Sequence, residues 1–67
     1  MFRLEFDRED DGRWICEIPA FPGVVAYGQT QAEARAKAEA LALRVMADLI
    51  EHGETVPPQA RDLFVPA

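Results

Sequence analysis

Trp14–Leu43 reads WICEIPAFPGVVAYGQTQAEARAKAEALAL. A short apolar run, a proline-edged bend, a second short run and a capped alanine-rich segment follow one another with almost no spare residues. That order predicts strand, turn, strand and helix. Nothing in it supplies a catalytic centre. It describes a small scaffold suited to contacting another macromolecule.

Working upstream, residues 2–8 alternate. Phe2, Leu4 and Phe6 point one way and Arg3, Glu5 and Asp7 the other, the pattern of a half-buried strand. Glu9-Asp10-Asp11-Gly12 is a turn signal. A three-residue loop Asp10-Asp11-Gly12 with Gly12 left-handed sets Phe6 against Cys16, Leu4 against Ile18 and Arg8 beside Trp14. Every apolar pair then shares one face. A slip of one residue would set Leu4 against Glu17.

The second strand spans 13–18 and stops at Pro19, because Pro19 and Pro22 lack the N–H that a central ladder needs. A third strand covers 24–27 and closes at Gly28, completing an antiparallel meander over residues 1–28. Thr30-Gln31-Ala32-Glu33 is a capping box for a helix from about residue 31 to 52, which stops at Gly53. Glu33 with Lys37, and Arg44 with Asp48, are spaced four apart on its outer face.

At 100° per residue, Ala34, Ala38, Leu41, Ala42, Val45 and Leu49 form one stripe, small enough at its start for close approach to a sheet. Leu43, Met46 and Ile50 lie around another side. One small sheet covers one stripe, so these three are the candidates for an oligomer or partner interface, unless the tail covers them. That tail, residues 54–67, holds a stiff Pro57-Pro58 pair, and Leu63–Val65 are placed to add a short fourth strand. The expected architecture is a single α+β domain over 1–67: a three-stranded antiparallel meander with one long helix, residues 30–53, packed on one face.

Sixty-seven residues hold one domain and fall short of the roughly 70–80 at which a single core stands comfortably alone. One cysteine excludes an internal disulfide, and one histidine with one cysteine argues against structural zinc. Oligomerisation or a partner is the remaining way to cover leftover apolar surface. Seven basic residues against twelve acidic ones give a net charge of −5, which disfavours a phosphate backbone and suits solubility or a basic protein partner. No stretch approaches the ~20 apolar residues of a membrane span, and MFRLEF lacks an apolar signal core. A reduced, cytoplasmic setting is the simplest inference.

Candidate chemistry is thin. Asp7, Glu9, Asp10, Asp11 and Glu17 form an acidic cluster that invites a metal-dependent nuclease reading. A solvated hairpin tip accounts for the same residues. Cys16 alternates with Trp14 and Ile18 and reads as a small buried hydrophobe rather than a nucleophile. His52 lies in the last helical turn, where a cation complements the dipole. Arg8 beside Trp14 sets up a cation–π pair. No residue is assigned to catalysis, to a cofactor or to a metal, and the chain is expected not to be an enzyme.

The acid-rich hairpin, Asp11-Gly12-Arg13-Trp14, Glu17-Ile18-Pro19, Phe21-Pro22-Gly23, Gly28, Thr30 and Glu33-Ala34 together resemble the HicB-type antitoxin family in its short form, over roughly residues 3–53. Phe21 departs from the pattern, where leucine is commoner. The resemblance implies a partial ribonuclease H-like fold and a protein that binds and neutralises HicA, a small basic ribonuclease that cleaves mRNA. Longer relatives add a C-terminal DNA-binding domain; a chain ending at Ala67 leaves no room for one, so operator binding is not carried over. The expected partners are thus a HicA-like toxin and further copies of the chain, as a dimer or tetramer, with no direct nucleic-acid binding. The alternative is an orphan homo-oligomeric module with no toxin, binding a small ligand or another protein.

Overall fold

The acidic turn sets the register from which everything else follows. A computed structural model describes residues 1–67, with strands β1 (Glu5–Arg8), β2 (Trp14–Glu17) and β3 (Val25–Gly28), helix α1 (Gln31–Glu51) and a 3-10 turn at Pro58–Ala60. The Glu9 N–H donates to the Arg13 carbonyl at 2.8 Å, and Gly12 turns the chain at φ +91°. A side chain at that φ would cost roughly 1–2 kcal/mol, so glycine is the residue that closes the three-residue loop. Phe6 then pairs with Cys16 and Arg8 with Trp14, as the alternation requires.

β1 is shorter than the alternation over 2–8 suggests. After Glu17 the next position of the second strand that faces β1 is Pro19, which has no N–H to donate, while the Ile18 N–H faces β3 and donates to the Val24 carbonyl at 3.2 Å. Residues 1–4 therefore have no ladder partner, although Phe2 still packs on Phe21 with ring centroids 5.1 Å apart. The bend is two consecutive turns, closed by Phe21 N–H to Ile18 at 2.9 Å and Val24 N–H to Phe21 at 3.0 Å. The second fits a proline–glycine turn at Pro22-Gly23. β2 pairs with β3 antiparallel, giving the order β1-β2-β3.

α1 begins as its sequence dictates. The Thr30 hydroxyl accepts the Glu33 amide at 3.1 Å, and Glu33 Oε1 reaches back to the Gln29 N–H at 3.1 Å, one residue earlier than the usual capping box. Its end is a Schellman motif: Glu54 N–H donates to Leu49 at 2.8 Å and Gly53 N–H to Ile50 at 3.1 Å. The Glu33–Lys37 pair forms at 3.3 Å. Arg44 does not reach Asp48, which lies 3.3 Å from His52, and an unforeseen pair joins Arg35 to Glu39 at 3.3 Å.

The core lies between α1 and the face of the sheet that carries Cys16, Ile18 and Val24, with Phe21 folded in from the bend. The buried helical residues are Ala34, Ala38, Ala42 and Met46, a strict i, i+4 ridge. Leu41, Val45 and Leu49 flank it, half-buried. Met46 thus leaves the set assigned to an outer interface: it is 6% exposed and belongs to the core, while Leu43 is 61% and Ile50 54% exposed. The reason is that alanine at three successive ridge positions draws the helix close, which rotates the Met46 row onto Ile18 and Phe21. No fourth strand forms at 63–65. Leu63 instead donates its N–H to Ala60, continuing the turn, and Leu63, Phe64 and Val65 stand exposed. Val56 and Ala60 pin the earlier part of the tail against the core.

Candidate functional site

Two surfaces remain uncovered, and both follow from a helix that crosses β2 and β3 while barely touching β1. The first is the sheet face away from the helix. The register places Asp7, Ile15 and Tyr27 in one row across it and Glu5, Glu17 and Val25 in the next. Val25 and Tyr27 are exposed, and the Arg13 guanidinium lies 4.8 Å over the Tyr27 ring. Two carboxylates, Glu5 and Glu17, face each other directly across the strands, an arrangement that destabilises a sheet unless a cation answers it. Only Arg3 lies near, 3.7 Å from Glu5 and largely in solvent. This face is apolar at its centre and acidic along the β1 side. Its signal in the chain is the phase opposite to Trp14, Cys16 and Ile18, in which Ile15, Val25 and Tyr27 also alternate, weaker because Glu17 interrupts it.

The second is a groove of about 430 Å³ between the N-terminal arm and the helix, lined chiefly by Phe2, Leu4, Phe21, Leu43 and Met46. Its only charged lining residues are Arg35 and Glu39, paired with each other. Of the three interface candidates, Leu43 and Met46 line the groove. Ile50 stands apart, exposed beyond the sheet.

The acidic hairpin does not converge. Asp11 accepts the Arg13 amide at 3.0 Å and its guanidinium at 2.8 Å, and these bonds, the backbone one first, hold its carboxyl below the usual range. Asp7 accepts the neighbouring Arg8 N–H at 2.7 Å. The one group of potential ligands that gathers within 4.8 Å is Asp48, His52 and Glu54 at the helix end, all exposed and without buried support. Cys16 is fully buried beneath α1, and burial pushes its thiol above the ordinary range, the opposite of what a nucleophile needs. Arg8 stacks over Trp14 at 5.2 Å, at the rim of a half-buried ring.

No helix is long and apolar enough to cross a membrane. Comparison with family models, curated proteins and solved structures finds no match for this chain. The geometry itself defines a small α+β scaffold with two unlike open surfaces, one acidic and one electrically neutral.

Proposed function

We propose that this chain is an interaction protein that docks a basic partner on its open sheet face. More particularly, we read it as a HicB-type antitoxin that neutralises a small basic HicA-like ribonuclease by covering its RNA-cleaving surface, in a reduced cytoplasmic setting and without catalysis of its own. The observation that carries this reading is the Glu5–Glu17 pair, answered only by solvent-exposed Arg3, with Asp7 beside it, around exposed Val25 and Tyr27 on a chain of net charge −5. A cationic surface would relieve the like-charge contact and bury the aromatic and aliphatic centre at once. The ordered motifs from Asp11 to Ala34, which resemble that family's pattern, support the more particular reading.

The test mixes the purified chain with the product of the adjacent gene and follows both complex mass and RNA cleavage. A defined complex that silences cleavage supports the reading. Glu17→Lys should slow association roughly tenfold at low salt and much less at high salt. A small basic neighbour that neither binds nor loses activity would remove the antitoxin assignment.

A further inference from the structure

A chain of 7.5 kDa folded as an ordinary monomer exposes about 4,250 Å². This one exposes 5097 Å², roughly 850 Å² more, and a standard protein interface covers about 800 Å² on each partner. Its radius of gyration is 13.4 Å where a compact chain of this length has about 11 Å. Two exposed apolar features complement one another. One is the apolar groove beside the free edge of β1. The other is the tail segment Leu63-Phe64-Val65, of which Phe64 is 81% exposed. The same chain's tail does not reach the groove. Residues 55–58 run along Val45 and Leu49 in a separate depression, and no tail residue lines the groove.

We infer that a second copy of the chain fills the groove: each copy inserts Leu63–Val65 between the other's N-terminal arm and helix, in a reciprocal two-fold dimer. Charge selects this surface over the open sheet face. Two chains of net charge −5 that met through the sheet face would bring both Glu5–Glu17 pairs and both Asp7 carboxylates together, three acids per chain against the two guanidinium groups of Arg3 and Arg13. At the groove the two charges cancel, because Arg35 and Glu39 lie 3.3 Å apart, and Arg61 and Asp62 at the head of the inserted segment also sum to zero. A self-complementary patch with no net charge is what a two-fold contact between like-charged chains requires. The dimer leaves the acidic face free, so it stands or falls independently of the basic partner proposed above.

Light scattering after size exclusion tests this on the full chain alone. The expected mass is twice 7.5 kDa. Phe64→Asp and Leu43→Glu, both at exposed positions that leave the monomer's melting unchanged, should each return the mass to that of one chain. Mixing the two variants should restore a dimer, because the first retains an intact groove and the second an intact tail. A wild-type monomer at all concentrations overturns the proposal and leaves the groove to another protein or to the chain's own tail. So does a dimer that survives Phe64→Asp, or one lost only with Tyr27→Glu, which would place the contact on the sheet face. Two monomeric variants that stay monomeric on mixing also overturn the exchange.

Discussion

Gly28 ends β3 where the start of the helix lies close above the sheet. A Cβ there would lie 2.5 Å from the Ala34 nitrogen and 2.9 Å from the Glu33 carbonyl carbon. Both are backbone atoms, so the helix start itself would have to move. Gly28→Ala should therefore cost about 1–3 kcal/mol or more, read as a lower urea midpoint. Five residues on, Glu33 carries a pH dependence. The Gln29 N–H, and after it the Lys37 ammonium, hold its carboxyl below the ordinary range. A group whose folded pKa is depressed adds stability that is present above its unfolded value, near 4.5, and lost as pH falls through the folded one. The melting-temperature gap between the parent and Glu33→Gln should be constant above about pH 5 and should shrink under acid. The capping role of Glu33 was legible in Thr30-Gln31-Ala32-Glu33. The need for glycine at position 28 was not, because it arises from a helix that only the folded chain brings overhead.

At the scale of elements, α1 is about 31 Å long and the four-residue strands about 13 Å, so the helix outruns its sheet. That mismatch leaves Ile50 54% exposed while Met46, one turn earlier, still packs in the core with Ile18 and Phe21. Met46→Ala should cost about 2–3 kcal/mol, since the adjacent groove lets the site relax in part. A domain of this length holds only roughly 3–10 kcal/mol in all. Ile50→Glu should leave the melting temperature where it is; a large drop would show that the helix end is packed more tightly than its exposure implies. Helical period alone assigned both residues to one outer stripe. A helix wheel divides residues by angle, but the buried angle is decided by which side chains are small enough to let the sheet approach. Here Ala34, Ala38 and Ala42 set that angle and carried Met46 inward. The strands were legible from alternation to within a few residues. Their ends were not: β1 stops where its partner bends at Pro19, a consequence of pairing rather than of its own residues.

Across the whole molecule, the amides of β2 around Cys16 and of α1 around Ala38 should exchange slowest with solvent, because both side chains are fully buried. Those of residues 61–67 should exchange fast in dilute solution and slow down as concentration rises, if a second copy takes up the tail. Exchange read by mass spectrometry at two protein concentrations checks both parts. The α+β class, the hairpin register, the helix with both its caps and the solvated acidic turn were determined by the chain itself. Each depends on interactions between residues a few positions apart, which local spacing specifies. Tertiary structure alone decided where the helix lies across the sheet, which ridge it buries, that the tail turns instead of adding a strand, and which two surfaces stay open. These outcomes depend on how closely distant side chains allow the layers to approach, and no local spacing encodes that distance.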